Sequence, residues 1–449
     1  MNNSSWRITG GAPLRGFVDL PGDKSIAHRA LMLAALAEGT SEIEGLPDGE
    51  DVDRTQAALR ALGVRIDRAA DVARVHGVGL DGLLAPSATL DCGNSGTTLR
   101  LMAGLLAGCP FEVCLDGDAS LRRRPMRRLV EPLSRMGARI QGLAGLDGEI
   151  RAPLRMTGGL LVAVDHDLPI ASAQVKSALL LAGLRASGRT RVREPMPSRD
   201  HTERLLAQAA APIRADVGGC VLETSRWDRR LRPLRLRLPG DLSSAAFFCV
   251  GALVVPGSDV SLRDVGANPT RTGCLEVLRA MGARLAIRAV GENTGVEPRA
   301  DLRITAGELI ATDVRGVLAL RAMDEIPALC VAATQAVGRT GFFDVGELRT
   351  KESDRIAAIS KLLAKMGARV EPHGDGLSVD GRTQLQGVAF GGHDFGADHR
   401  IVMSLAIAAL CAHGDSEIAS VETVQTSFPG FSDALARLGA KLTAVERPC

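Results

Sequence analysis

Tyrosine is absent from this chain, tryptophan occurs twice, and aromatic residues make up 3% of its 449 positions. Holding single-stranded bases takes a series of stacking rings, so base stacking is excluded as a main task. An excess of one charge is missing too: 54 Lys and Arg face 52 Asp and Glu, a formal net charge of +2. That balance provides no electrostatic drive toward nucleic acid. The nine cysteines are scattered singly, without a CxxC pair or a Cys/His cluster at zinc spacing. Reduced thiols in a core fit this pattern better than a disulfide frame or a metal site. No apolar run is long enough to cross a bilayer; the longest, Ile401–Ala412, contains Ser404. The opening MNNSSWRITGG is polar and lacks the apolar stretch of a signal peptide. A soluble, cytoplasmic protein with no membrane partner is expected, and its length exceeds one ordinary core, which calls for two or more domains.

What is present is repetition. LPGDKSIAHR, Leu20 to Arg29, shares its frame with LPGDLSSAAFF, which begins at Leu238. Each copy reads as a strand end, a Pro-Gly turn and a helix start. Only the first carries a cation, Lys24, with Arg29 one helical turn beyond Ser25. A Lys, a hydroxyl and free N–H groups at a helix N-terminus suit a phosphate or carboxylate. A capped turn with a snorkelling Lys is the plainer alternative, and the asymmetry between the copies favours the anion.

A second repeat lies beneath the first. ALGVRI at 61–66, RMGARI at 135–140, AMGARL at 280–285, KMGARV at 365–370 and RLGAKL at 437–442 each read as a helix end, a Gly C-cap and a strand start. The intervals are 74, 145, 85 and 72 residues, and a degraded copy, AAAPIRA at 209–215, falls near the middle of the long one. Six α/β units follow, each ordered helix, strand, helix, strand, strand. In the first, helix 26–37 leads to strand 41–45, helix 52–62, and strands near 64–68 and 73–78. The LPGD copies mark the first and fourth units, so two similar domains of three units each are expected. The N-terminal strand is assigned to the C-terminal half, making domain one 1–20 plus 240–449 and domain two 21–239. The active site is expected in the interdomain cleft, a common place for ligands.

Several polar clusters sit at the starts of apolar helices. In CGNSGTTLR, Asn94, Ser95, Gly96 and Thr97 offer N–H groups to an anion or simply cap a helix. SLRRRPMRR carries five Arg, most of them suited to a solvated face, but Arg124 precedes Pro125 at an expected helix start. ASAQVKSALLLAGL places Ser172 and Gln174 before a helix read as otherwise apolar. SRDHTERLL adds Arg199, Asp200 and His201, a lone histidine in such a place being more often structural than catalytic. MDEIPAL supplies adjacent carboxylates, Asp324 and Glu325. ELRTKESDRIAAI supplies Lys351, Glu352 and Arg355, with Lys351 and Arg355 expected on one helical face. GADHRIVMS places Asp398, His399 and Arg400 before another apolar helix. Several cations imply a substrate with several negative charges, and Asp324 and Glu352 are candidates for acid and base steps. No Ser/His/Asp or Cys/His nucleophile set and no metal set appears.

Taken in order, LPGDKSIAHR, GNSGTTLR, RRPM, ASAQVKSALLLAGL, SRDHTE, MDEIP, LRTKESDR, DHRIVMS and TSFP run the length of the chain. This series resembles the 5-enolpyruvylshikimate-3-phosphate synthase family (3-phosphoshikimate 1-carboxyvinyltransferase), in a divergent bacterial branch. The resemblance implies an α/β enolpyruvyl transferase fold of the inside-out barrel type, two domains of three βαβαββ units each. It implies transfer of the enolpyruvyl group of phosphoenolpyruvate to the 5-hydroxyl of shikimate 3-phosphate, with release of phosphate, in the shikimate pathway toward chorismate and the aromatic amino acids. No metal and no organic cofactor is implied, and a monomer is expected. By motif, Lys24, Gly96, Arg124, Gln174, Arg355 and Arg400 correspond to the phosphoenolpyruvate site. Lys24, Ser25, Arg29, Ser172, Ala173, Gln174, Asp324 and Lys351 correspond to the shikimate 3-phosphate site. The catalytic set is Asp324 as base, Glu352 as acid, and Lys24. Glyphosate is the family's inhibitor, so sensitivity to it is expected.

The chain departs from the common pattern at Thr426, where many members have Lys before the FP step, and at Ala173 and Glu347, where many have Ser and Asn. UDP-N-acetylglucosamine enolpyruvyl transferase is the nearest rival, but its Asn after the corresponding Lys and its loop Cys are missing. A P-loop NTPase fails on GDKS, which lacks the G-x-x-x-x-G-K-S frame. A non-enzymatic, anion-binding repeat scaffold is the remaining alternative.

Overall fold

Pro-Gly steps stop strands and Asp caps helices, and both LPGD copies do so in the computed structural model, which describes residues 3–291, 297–396 and 398–447. Strand Arg15–Asp19 ends before the first copy, and helix Lys24–Leu36 follows, with the Asp23 carboxylate accepting from the Ile26 N–H at 3.0 Å. Strand Arg235–Arg237 ends before the second, and Asp241 caps helix Leu242–Val254 by accepting from the Ser243 N–H at 2.7 Å. Because Asp23 is the cap, the helix expected over 26–37 takes Lys24 and Ser25 into its first turn. The elements after it are Glu38–Glu44, Glu50–Ala61, Arg65–Ala69 and Val72–Val78, displaced slightly from the expected limits.

The repeated signature ends helices through backbone geometry. Gly63, Gly137, Gly282, Gly367 and Gly439 all have φ between 83° and 105°, the left-handed region that closes a helix without crowding a Cβ. In the degraded copy Ala210 takes that place at φ 60°, at a cost of about 1–2 kcal/mol.

The chain forms two compact units, Met1–Pro21 with Pro239–Cys449, and Gly22–Leu238. It passes from one to the other inside the two LPGD turns. Six four-stranded sheets are present among the described residues, three in each unit, and all share one plan. Glu112–Asp116, for example, pairs parallel with Leu90–Asp91 and antiparallel with Ile150–Thr157, which pairs antiparallel with Arg139–Ala144. This is a βαβαββ unit, since a parallel neighbour needs a crossover helix whereas an antiparallel one can follow by a turn. Two first strands are exchanged. Arg15–Asp19 pairs with Asp259–Gly266, and Arg235–Arg237 pairs with Glu38–Glu44. Strand Asn3–Thr9 lies between Asp415–Ala419 and Lys441–Arg447.

Within each unit the central helices are buried and the sheets face outward. All of Leu242–Val254 is buried, as are Ile26–Leu36 and His399–Leu410. The strands alternate instead: Val113 and Leu115 are buried while Glu112 is exposed, the period-two pattern of a half-covered sheet. Helices Gly96–Leu106 and Ala173–Gly183 cross at Gly104, where a Cβ would overlap the Ala178 carbonyl. No described helix is long and apolar enough to cross a membrane.

Candidate functional site

In the unit Gly22–Leu238, three buried helices begin at Lys24, Gly96 and Ala173, and each has a polar cap. Asp23, Ser95 and Ser172 accept from the N–H groups of Ile26, Thr98 and Val175 at 3.0, 3.1 and 3.4 Å. A cap satisfies one N–H and leaves others in the first turn directed outward, where they favour an anion. Gln174, expected ahead of its helix, lies in the first turn. There its amide oxygen accepts from Arg100 Nη1 at 2.7 Å and its nitrogen donates to Thr97 Oγ1 at 3.0 Å. Arg124 does not open a helix as expected. It closes the short helix Ala119–Arg123, and the next helix starts at Arg127, beyond Pro125. Its guanidinium donates to the Asn94 side-chain oxygen. A Cβ built on Gly96 would stand 2.9 Å from Arg124 Nη1 and 3.0 Å from Arg100 Nη1. Gly96, Arg124 and Gln174 thus come together around Arg100, the last residue of GNSGTTLR. Its place one turn after Gly96 was the signal that could have singled it out.

Lys24 Nζ pairs with Asp51 Oδ2 at 2.8 Å. Arg29 is buried and reaches across helices, donating to Ser177 Oγ (2.9 Å), Thr202 Oγ1 (2.8 Å), the Ser25 carbonyl (2.9 Å) and the Ala173 carbonyl (3.5 Å). His201 is the buried first residue of its helix, behind Asp200, and Arg199 is half-buried. His28 lies beneath Lys24 and Arg29, with Nδ1 2.7 Å from Thr55 Oγ1. That hydroxyl is 2.8 Å from Thr98 Oγ1, which in turn donates to Ser95 Oγ at 2.8 Å. Burial first, then the charges of Lys24 and Arg29, hold the His28 pKa well below the ordinary histidine range. An unfolded histidine titrates near pH 6.5, so below that pH the unfolded chain binds the extra proton and folding weakens as pH falls, by about 1.4 kcal/mol per unit for one such group. The urea midpoint is expected to drop between pH 7.5 and 5, with a shallower slope in His28→Asn. Equal slopes would assign the loss to other groups.

In the other unit, a 3₁₀ turn Met323–Glu325 leads into helix Ile326–Gln335 and sends its two carboxylates apart. Glu325 is buried, 3.7 Å from Arg271 Nη1, and accepts from Ser243 Oγ. Asp324 Oδ1 lies 3.6 Å from both Lys351 Nζ and Arg355 Nη1. Lys351 and Arg355 do not share a helical face as expected. Lys351 follows the 3₁₀ turn Gly346–Thr350, and the helix begins only at Arg355, because Asp354 caps it by accepting from the Ala357 N–H. The two cations meet at Asp324 from separate segments.

Arg355 is 1% exposed and carries Asp398 Oδ2 at 2.8 Å and Glu352 Oε2 at 2.6 Å. Burial would lower its pKa, but Asp398, Glu352 and Asp324 together hold it above the usual arginine range. Asp398 also accepts from Ser353 Oγ at 2.9 Å and from the Arg400 N–H at 3.0 Å, and Arg400 Nη1 donates to the Asp324 carbonyl at 3.3 Å. His399 is buried beside them, Glu347 lies 3.7 Å from Lys351, and Thr426 ends a 3₁₀ turn, Val421–Thr426. Lys351 and Arg355 are matched by carboxylates and Arg400 by a backbone carbonyl, so the positive charge expected to converge here is largely compensated. Sequence reasoning also passed over Lys176, which interrupts the helix read as apolar, and its partners Glu194 and Glu203.

The profile of one protein family, EPSP synthase (3-phosphoshikimate 1-carboxyvinyltransferase), matches residues 8–435. A 3-phosphoshikimate 1-carboxyvinyltransferase of Halorhodospira halophila is 50% identical over 442 residues, covering 98% of this chain and 97% of its own. One from Acidithiobacillus ferrooxidans is 49% identical over 437 residues, covering 97% and 98%. Among solved structures, an EPSP synthase from Acinetobacter baumannii superposes with a TM-score of 0.85 at 40% identity, over 99% of this chain and 100% of that one. The enolpyruvyl transferase NikO from Streptomyces tendae, 18% identical over the full length of both chains with a TM-score of 0.78, shares the fold. The six βαβαββ units are therefore those of the enolpyruvyl transferase fold, and the chain belongs to the EPSP synthase (3-phosphoshikimate 1-carboxyvinyltransferase) family.

Proposed function

We propose that this chain transfers the enolpyruvyl group of phosphoenolpyruvate to the 5-hydroxyl of shikimate 3-phosphate and releases inorganic phosphate. The observation that supports the residue roles best is the holding of two carboxylates on one buried guanidinium, Asp324 at 3.6 Å and Glu352 at 2.6 Å from Arg355. Asp324 takes the proton of the 5-hydroxyl, whose oxygen bonds to C2 of phosphoenolpyruvate. Glu352 delivers a proton to the methylene carbon, so the addition is balanced. Loss of phosphate from C2 and of one methyl proton then restores the double bond. Lys24, Arg124, Gln174, Arg355 and Arg400 bind the phosphate and carboxylate of phosphoenolpyruvate, with Gly96 allowing backbone to approach. Lys24, Ser25, Arg29, Ser172, Ala173, Gln174 and Lys351, with Asp324, receive shikimate 3-phosphate. Charge-assisted hydrogen bonds from Arg and Lys suit both anions.

Phosphate release should require both substrates and should not occur when UDP-N-acetylglucosamine replaces shikimate 3-phosphate. Release with the UDP sugar, or none with the pair, would reject the reading. Gly96 supplies a finer check. The methyl of Gly96→Ala lands against Arg124 and Arg100, which must shift, and the site loses room for the longer glyphosate more than for phosphoenolpyruvate. One methyl in a tight pocket discriminates by about 1–3 kcal/mol, so the glyphosate inhibition constant should rise more than the KM for phosphoenolpyruvate. Equal rises would remove Gly96 from the site.

A further inference from the structure

Lys176 is buried in the second turn of helix Ala173–Gly183, with its ammonium 2.9 Å from Glu194 Oε2 and 2.8 Å from Glu203 Oε1. Burial alone would lower its pKa; the two carboxylates hold it above the usual lysine range. Glu194 follows strand Arg189–Arg193 and is 2% exposed at its side chain, and Glu203 projects from helix His201–Gln208. The two carboxylates differ in what else they touch. Glu194 Oε1 accepts from the Ser172 backbone N–H at 2.8 Å. Its two oxygens lie 2.8 and 2.7 Å from the Ser198 hydroxyl that donates to it. Among the described residues neither serine bonds to Glu203, whose partner is Lys176.

Buried ion sets of this kind add little net stability, because desolvation offsets much of the attraction. What they do supply is a fixed geometry. Glu194 ties together the N-cap of one helix, Ser172, and the segment leading into the next, Ser198. It also takes up the Ser172 amide, while the Ser172 hydroxyl accepts weakly from the Val175 N–H at 3.4 Å. Among the described residues that hydroxyl donates to no acceptor, so its proton remains for an anion.

We propose that Glu194 is a positioning residue for shikimate 3-phosphate: by holding the Ser172 amide and the Ser198 hydroxyl on one carboxylate, it sets where the Ser172 hydroxyl meets the substrate. This rests on the assignment of Ser172 to the shikimate 3-phosphate site. Glu203 shares the ion set but not the serines, and so provides an internal control.

The test compares Glu194→Gln, Glu194→Asp and Glu203→Gln in the full-length enzyme, by steady-state kinetics, thermal unfolding, and calorimetric binding of shikimate 3-phosphate. In Glu194→Gln one side of the amide presents N–H to a donor, so one hold is lost. In Glu194→Asp the charge stays but the shorter arm cannot reach both serines. Both are expected to raise the KM and Kd for shikimate 3-phosphate roughly tenfold, as misplacement of a binding group does, with kcat and the KM for phosphoenolpyruvate within about twofold of wild type. Glu203→Gln should lower the unfolding temperature and leave all the constants near wild type. Should Glu194→Gln fail to fold, Glu194→Asp carries the test. The proposal is overturned if Glu203→Gln weakens shikimate 3-phosphate as much as the Glu194 variants do, or if Glu194→Asp behaves as wild type. Wild-type enzyme that does not bind shikimate 3-phosphate at all would instead reject the underlying functional reading.

Discussion

Asp324→Asn is expected to lower kcat by about 10²–10⁴-fold, the usual loss when a general base is removed, while shikimate 3-phosphate still binds. The amide is isosteric and still offers an oxygen, so a substrate hydroxyl can donate to it, but it cannot take the proton away. The surroundings should tolerate the change. Lys351 and Arg355 stand 3.6 Å from Asp324 Oδ1, and Arg355 keeps Asp398 and Glu352 as closer partners. The backbone contact of Arg400 to the Asp324 carbonyl does not depend on the side chain. Phosphate-release kinetics combined with calorimetric binding of shikimate 3-phosphate would check this. Near-wild-type turnover would take Asp324 out of the mechanism, and a lost binding heat would make it a binding group instead.

The largest stability effect is expected at Asp398. Its side chain is fully buried, accepts from Arg355 at 2.8 and 3.3 Å and from Ser353 at 2.9 Å, and caps helix His399–Leu410 through the Arg400 N–H. Asp398→Ala removes the charge that best compensates a buried guanidinium, which costs about 3–5 kcal/mol when one partner of a buried pair is lost. Asp398→Asn loses the same charge but keeps an oxygen for the cap, so its loss should be smaller than that of Ala by the share of the cap, about 1 kcal/mol. Urea unfolding of the three proteins measures the order. If Asn and Ala destabilise equally, the charge matters and the cap does not; if neither destabilises, Arg355 is satisfied by Glu352 and Asp324 without it.

Much of the repeat architecture was legible because it is written in local rules. A helix that ends and turns back needs one residue at positive φ, and glycine takes that conformation at least cost. Gly63, Gly137, Gly282, Gly367 and Gly439 therefore mark the repeat, and Ala210 marks the unit where the signature decayed. The two Pro-Gly-Asp turns announce their helix caps in the same way. The motifs around Gly96 and Gln174 could be placed at helix starts, since polar residues ahead of an apolar run have few other uses.

Tertiary structure decided everything that depends on partners distant in sequence. The pairing of strands Arg15–Asp19 and Arg235–Arg237 depends on which sheet edge each meets, and those edges, Asp259–Gly266 and Glu38–Glu44, lie some two hundred residues away in sequence. Asp324 and Glu325 are chemically similar neighbours, yet a one-residue step on a tight turn sends one to Lys351 and Arg355 and the other to Arg271. Lys351 and Arg355 look like an i,i+4 helical pair, but Asp354 intervenes as a cap and starts the helix at Arg355. Lys176 lies 18 residues before Glu194 and 27 before Glu203, so nothing local announces that the three meet. By itself the sequence determined which segments become helices and strands and in what repeated order, because caps, turns and periodicity act over a few residues. Which side chains share a charge was decided by packing, because a buried ion takes the partner that the fold brings to it.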